Sequence, residues 1–187
     1  MKTFLVSSPP RTGSHYLHAL LRSASPNTNT ILTHNPWYEL DYHNTCLILL
    51  ARRDKTAAIL SQLIGQRTEQ WTKYEITPDA FLVDCHRGSD LYHTYMFNRW
   101  YEKSHDFSRP YAKIQHFCFE DFVGNHDHVF SALDLNPVRD IKLPQQSPYS
   151  YRDIIINYKD CIQTIQQWDI ENHPFITVTQ PHLRKST

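Results

Sequence analysis

Glycine is scarce in this chain, with four in 187 residues. Each one is therefore expected where the backbone needs it, Gly13 above all. Net charge is also lacking, since 19 Lys and Arg face 19 Asp and Glu. No global field draws such a chain to nucleic acid or to an anionic membrane, so any anion binding must be local. No apolar run approaches the roughly 20 residues of a membrane-spanning helix. The opening MKTFLVSSPPRT has too short an apolar run for a signal peptide, and a cytoplasmic protein is expected. The four cysteines, Cys46, Cys85, Cys118 and Cys161, contain no C-x-x-C pair and read as reduced, mostly buried thiols. There is no internal repeat, low-complexity tract or domain boundary, so 1–187 is read as a single α/β domain large enough for a real core.

What is present is organised around Phe4–Leu21. Phe4, Leu5 and Val6 predict a short buried strand, Ser7 to Gly13 a tight loop, and Leu17, Leu20 and Leu21 the apolar face of a helix. Such a loop directs backbone N–H groups and the positive end of the helix at one spot, where Arg11 adds a formal charge. A phosphate fits there, and so does an ordinary turn with a solvated Arg.

Further along, Thr30–His34 and Lys113–Phe119 read as strands, and TCLILLA (Thr45–Ala51) as one buried on both faces. Helices are expected from about Asp54 to Gln66, from Pro78 to about His105 with a break near Gly88, from Glu120 to Leu133, and from Tyr151 to about Trp168. In the second of these, Tyr92, Met96 and Trp100 recur every four residues with Tyr95 beside them, a pattern read as core packing. Asn136 to Pro148 is a Pro-rich connection. Strands alternating with helices argue for a three-layer, P-loop-like α/β domain with a mainly parallel central sheet flanked by helices. Ligands of such sheets sit beyond the carboxyl ends of the strands. Arg11, His34 and Arg53 each fall just past one.

Arg53 precedes a helix and Ser61 lies two turns along it, roughly 12 Å away at about 1.5 Å per residue. The two share one phosphate only if the guanidinium reaches back along the helix. Taken alone, the stretch is better read as an Arg-Asp cap with a helix Ser facing a packed neighbour.

The wording of these stretches is similar to that of sulfotransferases that use 3′-phosphoadenosine 5′-phosphosulfate (PAPS). PPRTGSHYL resembles their 5′-phosphosulfate loop, P-[KR]-[ST]-G-[ST]-x-[WFY]-L, and RRDKTAAILS their 3′-phosphate motif, R-[DN]-P-x-x-x-x-x-S. ILTHNP resembles K-[TS]-H-L-P, which carries the catalytic histidine of cytosolic members, and HFCFEDFV the downstream Y-E-[DN]-[LMF]. The first two are fairly specific and the others weak. The likeness covers about the first 65 residues well and 113–165 loosely.

The resemblance implies that PAPS is the donor, PAP the product, and a hydroxyl of a sugar or small metabolite the acceptor, with no metal required. Pro10, Arg11, Thr12, Gly13, Ser14 and His15 would hold the phosphosulfate, with the Thr12 and Ser14 hydroxyls available to it. Arg53 and Ser61 would bind the 3′-phosphate. Arg11 would stabilise charge on the bridging oxygen, and His34 would be the general base, worth about 10²- to 10⁴-fold in rate.

Three departures stand out. Lys55 replaces the family's Pro, Leu32 replaces Lys, and the Gly-rich G-x-x-G-x-W segment that closes over the nucleotide is missing. Carbohydrate sulfotransferases with the same loop wording use a carboxylate base, so Glu39 and Asp41 compete with His34; Tyr42 and His43 could reach the site, but nothing distinguishes them from loop residues. A P-loop kinase or nucleotide hydrolase would place Lys after the final Gly, where Ser14 stands. A non-catalytic PAPS- or phosphate-binding module is the other alternative. His15 with His18, and His126 with Asp127 and His128, lack partners at metal-ligand spacing. Oligomeric state leaves no mark on the sequence.

Overall fold

The structure, a computed structural model, describes residues 2–35, 40–69, 78–105, 107–123, 125–139, 141 and 150–172. Four strands, β1 (Thr3–Ser7), β2 (Asn29–Thr33), β3 (Thr45–Ala51) and β4 (Lys113–Cys118), form one sheet in the order β2-β1-β3-β4. Every pairing is parallel. The first crossover runs outward from β1 to β2, and the later one runs the other way, from β3 to β4. Crossovers of one hand then put their helices on opposite faces, and the strand order reverses between β1 and β3.

Side-chain alternation fills the two faces differently. Phe4, Val6, Cys46, Ile48, Leu50 and Phe117 pack with α1 (Ser14–Ala24), α4 (Phe119–Phe122) and α5 (Asp127–Leu133) in one apolar cluster. Across the sheet lie α2 (Lys55–Thr68), α3 (Asp90–Lys103), α6 (Tyr151–Ile154) and α7 (Tyr158–Asn172). Their cluster, with Leu60, Ile64, Leu91, Tyr95, Ile165 and Trp168, contains no strand residue. The result is a three-layer, P-loop-like α/β fold with an all-parallel central sheet. Among the described residues no helix is long and apolar enough to cross a membrane.

Several expected helices are shorter or broken. Residues 78–89 are not helical, because Phe81 pairs with Ile155 in a parallel bridge. The Asn157 side chain holds both polar groups of Val83, accepting from its N–H at 3.0 Å and donating to its carbonyl at 2.8 Å. Helix α3 starts only after Gly88 turns at φ +98°, with Ser89 as the cap that accepts from the Tyr92 N–H. The same bridge draws Ile155 out of the helix expected over 151–168, splitting it into α6 and α7. The segment 120–133 divides into α4 and α5. On α3 the buried stripe is Leu91, Tyr95, Asn98 and Tyr101, whereas Met96 and Trp100 are exposed. Asn98 is held there by donating to the Gln62 side chain at 2.9 Å and to the Thr94 carbonyl at 2.8 Å. The connection expected over 136–148 lies partly outside the described residues.

Two cysteines, Cys46 and Cys161, are buried and two, Cys85 and Cys118, are half-buried; all four are thiols.

Candidate functional site at the carboxyl edge of the sheet

Beyond β1 the chain makes a tight loop before α1. Arg11 at φ +65° and Gly13 at φ +87° both occupy the left-handed region, in which a side chain costs on the order of 1–2 kcal/mol. Gly13 is also required by packing. A Cβ there would meet Phe119 Cδ2 at 2.0 Å and Cε2 at 2.5 Å. The Phe119 ring is itself wedged against Tyr16 and Phe122, with the Arg52 guanidinium over its face. Thr12, buried, donates its hydroxyl to the Pro9 carbonyl at 2.8 Å. That proton braces the loop, contrary to the expectation that it is available to a ligand. Ser14 is buried in the first turn of α1. Ser8 Oγ, fully buried at the start of the loop, has no hydrogen-bond partner among the described residues.

The Arg11 side chain crosses to α2, where its Nε donates to Ser61 Oγ at 2.9 Å. Ser61 is thus brought to Arg11. Arg53 lies elsewhere, its guanidinium paired with Asp121 and its N–H donating to Glu120 Oε2 at 3.0 Å. Arg52 faces the same carboxylate at 3.5 Å. Desolvation alone would raise the Glu120 carboxyl. The N–H groups of Arg53, Glu120 and Asp54, with the Arg52 guanidinium, outweigh it and hold the group below its ordinary 4.5. Glu120 and Asp121 therefore start α4, as negative charge at a helix start favours, and also neutralise the Arg pair after β3.

His34 follows β2 and sits 2.7 Å from the Ser8 carbonyl through Nδ1. A carbonyl only accepts, so Nδ1 carries a proton, and in the corresponding neutral tautomer Nε2 is the acceptor. His15 stands nearby on α1. Desolvation first, then His34, His18 and Arg11, push its imidazole below the ordinary 6.5. Asp41 does not belong to this edge. It precedes the 3-10 turn Tyr42–Asn44 at the amino end of β3, where its carboxylate accepts from Asn44 Nδ2 at 2.7 Å. A five-residue parallel strand separates the two edges by on the order of 13 Å. Tyr42 and His43 share that far edge, Tyr42 with its ring against Tyr111. Pro10 is part of the loop beyond β1, whereas Glu39 lies outside the described residues.

A second polar group lies beneath the loop. Ser7 Oγ is 2.7 Å from Tyr101 Oη and 3.0 Å from His105 Nε2. Tyr101 Oη also donates to the Thr33 carbonyl at 3.4 Å, which accepts from the Ser8 N–H as well. One phenol thereby ties the ends of β1 and β2 to α3. Burial pushes that phenol up to about 12, against the opposing bonds from Ser7 and Ser8. Ser7, Tyr101 and His105 border a cavity of about 420 Å³ between the sheet and α2–α3, with Thr12, Lys55 and Phe107 also in its wall. A larger cleft of about 840 Å³ runs between α2 and α3 from Pro10 and Gln62 to Phe81 and Val83.

Sequence reasoning did not reach Phe119, Ser8, Tyr101, His105 or the Arg53–Asp121 pair. Only Gly13 carried a signal, because a scarce glycine in a loop implies either positive φ or a close neighbour. Searches of protein-family models, of curated proteins and of solved structures returned no match to this chain.

Proposed function

We propose that this chain transfers a sulfuryl group from PAPS to an acceptor hydroxyl, on a sugar or a small metabolite. The observation that carries the reading is the meeting of three features at one edge: the Gly13 loop, the Arg11–Ser61 contact and a His34 whose Nδ1–H is committed to the Ser8 carbonyl. The residues present fit an anionic donor. Ser8 Oγ, at the start of the loop, is a buried polar atom without a hydrogen-bond partner among the described residues. The Arg53 guanidinium is paired with Asp121 in an exposed ion pair, worth about 0–1 kcal/mol, which a phosphate dianion can displace. When bound, PAPS supplies an activated sulfuryl group and leaves as PAP.

The chain's own residues then have separate tasks. His34 Nε2 accepts the proton of the attacking hydroxyl, and the Ser8 carbonyl keeps the ring in the tautomer that permits it. The Arg11 guanidinium offsets negative charge on oxygen at the loop, held in place by Ser61. Arg53 supplies a second cation for a ligand with two separated anionic groups. A non-catalytic anion-binding module is favoured by one specific observation, that Thr12 and Arg53 are already engaged.

PAP tests the assignment. At a hundredfold excess over its dissociation constant it should add about 2.7 kcal/mol of stability. For a chain of this size that is a rise in Tm of about 5–11 °C. AMP should give far less, and an equal rise with ATP and magnesium would refute the roles of Arg53 and Ser61. Under saturating PAPS, His34→Ala should lose about 10²-fold or more in turnover; full activity in that variant removes the base, and no turnover in the wild type with any hydroxyl acceptor leaves the binding module.

A further inference from the structure

Cys85 and Cys161 are 76 residues apart in sequence, yet their Sγ atoms lie 3.6 Å apart. Cys85 is half-buried on the irregular stretch before α3, while Cys161 is wholly buried on α7. The stretch is held in place around them. Asn157 grips Val83 on both polar groups and lies 3.7 Å from Cys85 Sγ through Nδ2. The Cys85 thiol lies 3.5 Å from the Val83 carbonyl. Burial and the neighbouring Cys85 push the Cys161 thiol up to about 12, so it stays protonated. The other two cysteines are placed differently: Cys46 lies in the apolar cluster on the far face of the sheet, and Cys118 ends β4.

We propose that Cys85 and Cys161 are an oxidation site that closes to a disulfide under hydrogen peroxide, a two-electron oxidant. Cys85, the less buried of the two, attacks the peroxide oxygen. The O–O bond breaks, Cys85 becomes a sulfenic acid, and a first water leaves. The Cys161 sulfur then attacks the Cys85 sulfur. The S–S bond forms, and the sulfenic oxygen leaves as a second water carrying the Cys161 proton. One peroxide is reduced and two thiols are oxidised. The bond fastens the Phe81–Cys85 stretch to α7. Phe81 and Val83 wall the 840 Å³ cleft that opens beside Pro10, so oxidation fixes one side of that cleft.

The experiment uses the full chain, reduced, desalted and exposed to hydrogen peroxide, then alkylated, digested without reduction and mapped by mass spectrometry. The expected product is one cross-linked peptide pair joining Cys85 to Cys161 with two hydrogens lost, and dithiothreitol restores both thiols. Cys85→Ser, at the half-buried position, should leave Cys161 fully alkylatable after unfolding. Amide exchange over 81–85 should slow by about tenfold or more in the oxidised chain. Sulfinic acid at Cys85 without a cross-link, or a disulfide to Cys46, Cys118 or a second chain, overturns the proposal. None of these measurements depends on transferase activity, so their failure is separate from failure of the sulfotransferase reading.

Discussion

Replacing Gly13 by alanine tests the loop without assuming any ligand. Two costs follow from the structure. A side chain at φ +87° carries a left-handed penalty of about 1–2 kcal/mol. The new methyl would also sit 2.0 Å from a Phe119 ring carbon, closer than any real contact, so the ring or the loop must move. Overpacking of that kind costs about 1–3 kcal/mol. The sum is about 3 kcal/mol, a fall in Tm of about 6–12 °C for a domain of this size. Urea denaturation of Gly13→Ala, Phe119→Ala and the double variant separates the two costs. Removing the ring should relieve the clash but leave the backbone penalty. The double variant is then more stable than the sum of the singles implies, by about 1–3 kcal/mol. Single costs that add to within about 0.5 kcal/mol would show that the ring is not against Gly13, and the packing argument would fall.

Two pH effects follow from the polar group under the loop. Tyr101 titrates at about 12 in the folded chain and at an ordinary 10.0 when unfolded. The unfolded state loses its proton first as pH rises, so Tyr101 draws stability down between those values. Tyr101→Phe should show a shallower alkaline loss in a pH series of urea melts; identical slopes would contradict the burial of the phenol. His105 runs the opposite way. Desolvation, partly opposed by the Tyr101 carbonyl, holds its imidazole below 6.5. The unfolded chain then binds the proton first, and stability present above pH 6.5 is lost as pH falls through the folded value. His105→Gln should flatten the acid limb of the same series, and an unchanged limb would place the ring in water.

The sheet was legible because its signals are local. Phe4–Val6, Thr45–Ala51 and Lys113–Phe119 are apolar or alternating runs bounded by turn residues, and each is a strand. The carboxyl-edge placement of Arg11, His34 and Arg53 followed from connectivity alone. What failed to show was set by contacts distant in sequence. No property of Pro78–Gly88 announces a bridge from Phe81 to Ile155, so helical spacing was read straight through it and through Ile155. The α3 stripe misled for a related reason. Tyr92, Met96 and Trp100 have the helical period, but the neighbouring stripe of Leu91, Tyr95, Asn98 and Tyr101 is the buried one, and at its end Ser7 offers the Tyr101 hydroxyl a partner. At the site, spacing along α2 suggested that Ser61 and Arg53 work together. Asp121, brought in by β4, holds Arg53, and the loop delivers Arg11 to Ser61 instead. Asp41 is close to His34 in sequence, yet the two stand at opposite edges of the sheet.

The unequal filling of the two sheet faces has a mechanical consequence. On the α1 side the strands and helices share one close-packed cluster, which has little compressibility and transmits displacement directly. On the other side α2, α3, α6 and α7 share a cluster among themselves, and a 420 Å³ void lies in the seam between them and the strands. The α1 side therefore fixes where the Gly13 loop stands, like a bench, while the α2–α3 side is a jaw that can adjust its gap against it, pinned at Arg11–Ser61 and Tyr101–Ser7.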